Sequence, residues 1–341
     1  TDADGTIHIK RSWSPEYKPG HGQDINFTLA LIRWSSQTLL DINKEYELND
    51  PLATKWQHVL DNLVDYQIDE NGLRIGKDIP FDKPHRHYSH LLGVYPLAVI
   101  TPETEKDRQL IRTTLDHWLD VTINSTAKIK AMPVTGYTAT GASSMYATLG
   151  DKEKALYYLK FFINHKNVSP TTMYSEGKNN PVIESPLSFA TCVHDMLIQS
   201  NNGRIHVFPG TPDEWANAAF RHLRTQGAFL VSAKKEKTLT QFVAVESLVG
   251  SPCIINPGIE NPILYIEGKK VSNKKLGKPD NNGFYTLDLK KGECAIFAVL
   301  PLKEIDLSIR PIVIKEKDKN LFGYSKKTER LSGHKYYRDL E

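Results

Sequence analysis

Ser188-Phe189-Ala190-Thr191-Cys192-Val193-His194-Asp195-Met196-Leu197-Ile198-Gln199 runs through Ser200-Asn201-Asn202-Gly203 into Arg204-Ile205-His206-Val207-Phe208, and the period of the chain changes along the way. The first run spaces its apolar residues three to four apart, as an amphipathic helix does. Asn201-Asn202-Gly203 is a stop signal, and the residues after it make a short β-rich run. A boundary between a helical and a β region is therefore expected at 201–203.

Upstream, from 24 to about 200, the helical pattern repeats. Phe27, Ala30, Leu31, Trp34, Thr38 and Leu39 recur at helical spacing, as do Trp56, Val59, Leu60, Leu63 and Val64 after the Asn49-Asp50-Pro51 start signal, and the two segments are expected to share a core. Further helices are predicted over 103–119, 136–149, 152–164 and 188–199. Short turns without βαβ alternation imply stacked helical hairpins. Downstream, runs at 204–208, 228–233, 240–245, 253–256, 263–266, 284–289 and 294–299, separated by turns such as Asn281-Asn282-Gly283, imply a small antiparallel β-sandwich. The predicted fold class is mainly α with a β-domain: residues 1–202 helical, 203–300 sandwich, and 301–341 a charged peripheral extension with one apolar run at 309–314.

The bulk numbers agree with two domains, since single cores stop growing near ~250–300 residues and this chain has 341. Hydrophobic content of 40% and charged content of 24% are those of a folded globular protein. A formal charge of +3 directs the chain neither to nucleic acid nor to an anionic membrane. No apolar run reaches the ~20 residues of a membrane span, and Thr1 to Ile9 lacks the layout of a signal peptide. Cys192, Cys253 and Cys294 are odd in number and far apart, which reads as buried thiols.

Three stretches carry a resemblance. Ser14-Pro15-Glu16-Tyr17 is followed by a Gly-rich loop and Asp24; His85-Arg86-His87-Tyr88-Ser89-His90-Leu91-Leu92-Gly93-Val94-Tyr95-Pro96 forms the second; Ile183-Glu184-Ser185 through Met196-Leu197-Ile198-Gln199-Ser200, with Gly203, His206 and Pro209, forms the third. Together they resemble the catalytic region of glycoside hydrolase family 95, from the first residues to about 230, with Trp215 and Leu223-Arg224-Thr225-Gln226-Gly227 continuing the match. The resemblance implies a bacterial, periplasmic or secreted enzyme with an (α/α)6-type barrel of six helical hairpins, which removes α-L-fucose or α-L-galactose with inversion. It further implies Glu16 as catalytic acid, with His85, Arg86, His87, Tyr137 and Trp13 against the sugar. Glu184 falls where the family carries its catalytic Asp, in Glu184-Ser185-Pro186 against Asp-Gly-Asn. Thr135-Gly136-Tyr137 replaces a Thr-Gly-Trp pattern, and Ala142 replaces a Lys. Family members also carry a β-domain and early barrel helices ahead of the position of Thr1, including two asparagines that hold the attacking water. About half the barrel is expected here, and the chain alone is expected to be a poor catalyst with a solvated Glu16 near the pKa of free glutamate.

The chemistry suits the residues. Cleaving a glycosidic bond needs a carboxylic acid that stays protonated and, for inversion, a second carboxylate about 6.5–9.5 Å away that activates water. Pro15 holds Ser14 extended, Pro19-Gly20-His21-Gly22 admits a close ligand, and Trp13 and Tyr17 are expected to raise the Glu16 pKa. Glu16, the His85–His87 loop and Glu184 are expected to line one cavity. Each residue also has a plainer reading: Glu16 as an exposed loop glutamate, Glu184 as a cap for a helix starting near Ser185 or Ser188, the His loop as structural. Asp24 and Asp195 sit in helical patterns and read as solvated charges; His194 and His206 read as structural. A zinc site from His85, His87 and His90 is weighed and set aside, because Arg86 would repel a cation. No metal or other cofactor is expected. Asn26, Asn124 and Asn167 head acceptor sequons. The alternatives are a carbohydrate-binding homologue without turnover, or a sugar epimerase on a similar barrel. Oligomeric state, sugar and linkage are not legible.

Overall fold

The structure, a computed structural model, describes residues 1–129, 136–164, 168, 174–176 and 180–311, with backbone alone over 124–129 and at 180. Thr135, Asn167 and Ser169, the side chain of Asn124 and most of the 301–341 extension therefore lie outside the described residues. Helices come first and sheets after, as the change of period predicts. By its contacts the chain forms two compact units, Thr1–Met145 and Tyr146–Glu341.

The first unit opens with a hairpin of β1 (Ser12–Trp13) and β2 (His21–Gly22), then α1 (Asn26–Glu45) and α2 (Ala53–Asn62), which pack on each other. The short hairpin of β3 (Ile68–Asp69) and β4 (Gly72–Leu73), a 3-10 turn at Ser89–Leu91, α3 (Glu105–Ile129) and the start of α4 (Gly136–Thr148) complete it. Thr104 caps α3 by accepting from the Asp107 N–H at 3.1 Å, and Glu105 and Asp107 in the first turn complement the helix dipole. Its core gathers Ile25, Leu29, Leu91, Ile111, Leu115, Trp118 and Met145, each fully buried.

The buried face of α1 is not the apolar one that the sequence suggests. Leu31, Trp34 and Leu39 are 37%, 43% and 40% exposed, and α2 buries none of its residues. The face turned inward carries Asn26, Leu29, Ala30 and Ser36, with Arg33 beside them donating to the carbonyls of Leu63 and Val64 at 3.1 and 2.9 Å. Asn26 and Arg33 break the apolar period there, because they serve loop backbone rather than hydrocarbon.

In the second unit, α5 (Lys152–Ile163) is capped by Asp151, whose carboxylate accepts from the Lys154 N–H at 3.2 Å. A hairpin of β5 (Tyr174–Glu176) and β6 (Asn180–Val182) precedes α6 (Glu184–Leu197), and Phe162 meets Phe189 between the helices at 5.4 Å. The later strands are β7 (Ile198–Asn201), β8 (Arg204–Val207), β9 (Ala218–Thr225), β10 (Phe229–Glu236), β11 (Leu239–Ser247), β12 (Pro252–Asn256), β13 (Ile263–Ile266), β14 (Lys269–Lys270), β15 (Tyr285–Asp288) and β16 (Cys294–Ala298), with the short helix α7 (Asn273–Leu276) before β15.

They form a six-stranded sheet of order β14-β13-β16-β11-β10-β9 and a four-stranded one of order β15-β12-β8-β7. Val231, Val243, Val245 and Phe297 of the first share one buried cluster with Ile205, Val207, Cys253, Ile255 and Leu287 of the second, which makes a sandwich. It is not wholly antiparallel, since β8 and β12 pair in parallel. The helix also stops earlier than expected, at Leu197. Asn202 and Gly203 have φ of 52° and 71° and join β7 to β8 as a two-residue hairpin loop, so a strand must occupy the residues before them. Among the described residues no helix is long and apolar enough to cross a membrane.

Candidate active site

Glu16 sits at the tip of the β1–β2 hairpin with φ of 58°, a left-handed conformation that costs a non-glycine residue energy and needs support. Three contacts supply it. The Ser14 N–H donates to the Gly20 carbonyl at 2.8 Å, and the Ser14 and Ser89 hydroxyls, both buried, meet at 2.7 Å. The Tyr17 hydroxyl donates toward the Pro80 carbonyl and the Asp82 carboxylate, and accepts from the Asp82 N–H at 3.0 Å. Gly20 is required because a Cβ there would lie 2.3 Å from the Tyr17 carbonyl oxygen. Tyr17 is therefore an anchor of this loop, 3% exposed, and burial pushes its hydroxyl pKa up to about 12.

The second loop is fixed from behind by two helices. Trp118 of α3 donates its indole N–H to the His85 carbonyl at 2.8 Å, and Thr122 donates to the same oxygen at 3.1 Å. From α4, Thr138 donates to the Arg86 carbonyl at 2.6 Å. Held this way, the loop presents Arg86 and His87 to Glu16. One Glu16 carboxylate oxygen, Oε2, accepts from the Arg86 guanidinium at 3.1 Å and from His87 Nε2 at 2.8 Å. Beside them Tyr137 lies 6.3 Å from the His87 ring and stacks on Tyr88 at 5.4 Å with 9° between planes, while Tyr88 meets Trp118 edge-on. Gly141 allows this stack, for a Cβ there would fall 2.2 Å from the Tyr88 ring.

The electrostatics differ from expectation. The Arg86 hydrogen bond, with further pull from the charges of His87 and Arg86, holds the Glu16 carboxyl below the usual glutamate range despite some desolvation. Trp13 and Tyr17 do not raise it: Trp13 is 48% exposed and stacks on His21 at 6.2 Å, and the Tyr17 hydroxyl is committed to 80–83. Nor does Glu16 behave as a free glutamate, because Arg86 and His87 hold its carboxylate. His85 is 6% exposed and burial lowers its pKa to about 4, so its ring is neutral; His90, stacked on Phe81 at 4.4 Å, is pushed well below the ordinary histidine value by burial. Among the described residues no group of three or more His, Cys, Asp or Glu is placed to hold a metal ion.

Alongside this geometry, the sequence profile described as the glycosyl hydrolase family 95 catalytic domain matches residues 1–197. The chain belongs to glycosyl hydrolase family 95. This family 95 chain is similar to alpha-L-fucosidase 2 of Arabidopsis thaliana, 26% identical over 291 residues that cover 78% of this chain and 33% of the relative. It thus spans about a third of that protein's length. It is also similar to the solved structure of a GH127 beta-L-arabinofuranosidase from Geobacillus stearothermophilus T6, 12% identical, over 74% of this chain and 39% of that one, with a TM-score of 0.24.

Other residues that the sequence of this family 95 chain singles out have plainer surroundings. Glu184 is exposed in the first turn of α6, where a carboxylate favours the helix dipole; the residue at the cap is Ile183, and no side chain caps it. Asp24, expected on a solvated helix face, is instead fully buried: it accepts from the Ile9 N–H at 2.8 Å and meets His8 Nδ1 at 2.6 Å. Asn26 is no glycan acceptor, since its buried amide donates to the Gln67 and Arg74 carbonyls and accepts from the Gln67 N–H. His194 is exposed, Asp195 is partly buried, and His206 packs edge-on to Phe284. None of the three cysteines is in a disulfide among the described residues; Cys192 and Cys253 are buried and Cys294 partly so. Sequence reading missed Ser14, Ser89, Trp118, Thr122 and Thr138, the residues that hold the two loops. Ser14 and Ser89 lie within the stretches that carry the resemblance but were given no such role, and Trp118, Thr122 and Thr138 inside helices gave no local sign of that work.

Proposed function

We propose that the protein is an inverting exo-glycosidase that removes α-L-fucose or a related L-sugar such as α-L-galactose from oligo- or polysaccharides. The observation that carries this reading is the Glu16 carboxylate, held by His87 at 2.8 Å and Arg86 at 3.1 Å on a strained turn beside the Tyr88–Tyr137 stack. Membership of family 95 and likeness to a protein named as an alpha-L-fucosidase support the substrate class. In this reading the helices belong to an (α/α)6-type barrel. Glu16 gives its proton to the leaving oxygen, and Glu184 takes one from the attacking water on the other face of the sugar. Arg86, His87 and Tyr137 bind the sugar: two donors for its hydroxyls and one aromatic face for its C–H side. Trp13, 48% exposed on the same hairpin as Glu16, offers the sugar a further aromatic face.

A protonated Glu16 is the active form, so its lowered pKa places the best activity on the acid side, and ionisation removes the acid as the pH rises. Glu16→Gln is expected to cost about 10²- to 10⁴-fold in kcat on an alkyl α-L-fucoside, whose leaving group needs a proton, the range for a general acid. Proton NMR of the first product formed reads the anomer. Equal rates in both forms, or a product of retained configuration, would sink the assignment.

The same lowered pKa favours one second reading, a carbohydrate-binding protein without turnover, in which an ionised Glu16 accepts hydrogen bonds from sugar hydroxyls. Saturable L-fucose binding by calorimetry with no hydrolysis from pH 4 to 8 selects it over the first.

A further inference from the structure

His85 is buried behind Arg86 and His87, the two residues that follow it and meet Glu16. Its ring is buried, packs edge-on to Tyr17 at 5.5 Å and to His87 at 5.5 Å, and hydrogen-bonds the Pro15 carbonyl. Pro15 offers only a carbonyl, so the ring nitrogen donates; among the described residues Nε2 has no partner, so the donor is Nδ1. That bond ends one residue before Glu16, at the peptide whose orientation decides where the Glu16 side chain points. His85 itself stands still, because Trp118 and Thr122 hold its carbonyl.

From this we infer that His85 is a positioning residue for the acid: its Nδ1–H, passed through the Pro15 carbonyl, keeps Glu16 in its left-handed turn against Arg86 and His87. The role rests on the reading of Glu16 as the acid. It differs from sugar binding, because the ring is sealed behind the loop, and from simple packing, because it depends on one donor at one place.

Three substitutions separate these roles. His85→Phe keeps the ring volume and loses the donor. His85→Asn carries an amide N–H at the position of Nδ1. His85→Gln carries it one bond further out, and stands in for Phe if that variant fails to fold. Two substrates are compared: a 2,4-dinitrophenyl α-L-fucoside, whose leaving group departs without a proton, and an alkyl α-L-fucoside, whose leaving group needs one. His85→Phe is expected to lose about 10²-fold on the alkyl glycoside, the lower end of a general acid's contribution, and less than about threefold on the dinitrophenyl one. His85→Asn restores most of the loss and His85→Gln does not. Equal losses on both substrates, or equal behaviour of Asn and Gln, would overturn the proposal.

Glu16→Gln in the same assay tests the underlying reading. If it shows no selective loss on the alkyl glycoside, the acid assignment fails. If it shows the loss and His85→Phe does not, positioning alone fails. A readout independent of turnover decides the matter even for a chain that hydrolyses neither substrate. The Glu16 carboxyl, followed by carbon-13 NMR, is expected to titrate nearer the free value of about 4.3 in His85→Phe and at the native midpoint in His85→Asn. An unchanged midpoint in His85→Phe means that the ring does not hold the acid.

Discussion

The Glu16 carboxylate, the proposed proton donor, is held by two groups that favour its ionised form. Arg86 and His87 share the same Glu16 oxygen, and the arginine contributes most to lowering its pKa. In the free site the carboxyl is therefore ionised at neutral pH, and a sugar that draws Arg86 onto its own hydroxyls would relieve the carboxyl of its strongest depressing partner. Binding and protonation are then linked, as any ligand is linked to a proton it shifts. Arg86→Met removes the charge and the donor while keeping much of the length. It is expected to raise the Glu16 pKa, so that the alkaline limb of the kcat/KM profile moves to higher pH, while KM rises through loss of a sugar contact. A limb that stays in place would show that Arg86 does not govern the proton of Glu16.

At the scale of elements, the helix that backs the site is buried all round. Within α4 only Tyr137 and Thr148 escape full burial, and the polar residues inside it are hydroxyls: Thr138, Thr140, Ser143 and Ser144. Small side chains let neighbours approach closely, and Gly141 makes the closest approach, under the Tyr88 ring. Gly141→Ala must push that ring aside, at a cost of roughly 1–3 kcal/mol for an overpacked core, and tilt the Tyr137 face that rests on it. A lower melting temperature and a higher KM with kcat nearly kept are the expected result; a KM equal to the native one would separate the stack from sugar binding. Such contacts explain what the sequence could and could not reveal. The helices of 136–149 and 152–164 were legible because the Gly150-Asp151 break separates them, with Asp151 capping the second. On α1 the buried face was hidden by Asn26, Arg33 and Ser36. β9 was missed because His222, at φ of 54°, and a shift in the β9–β10 register break the alternation that marks a strand. Motif resemblance singled out Glu16, Arg86 and His87, whose side chains meet in the structure, but their supports are scattered single residues that only the fold brings together.

At the scale of the molecule, the buried imidazoles tie the state of the site to the stability of the unit that holds it. His85 has a folded-state pKa of about 4, and His90 lies well below the ordinary value; burial dominates in both, with His87 and Arg86 adding repulsion to His85, and His85 and His117 to His90. Glu16 opposes this at His85 by a smaller amount. Both shifts are downward, so folded protein resists protonation where unfolded chain accepts it near pH ~6.5. The stability they contribute is complete above that value and is lost as the pH falls toward 4. By linkage, each histidine of this kind costs on the order of 2 kcal/mol between pH 8 and pH 5. Glu16, depressed below the usual carboxylate range, adds a loss of the same sign only at lower pH. Urea unfolding at a series of pH values is expected to show stability falling through the range from about 6.5 to 5, before carboxylates titrate. His90→Phe, which keeps a ring against Phe81 and cannot take a proton, is expected to flatten about half of that fall. Stability that stays level from pH 8 to 5 in the native chain would mean that these rings gain access to water, or a partner for their protons, before the unit opens.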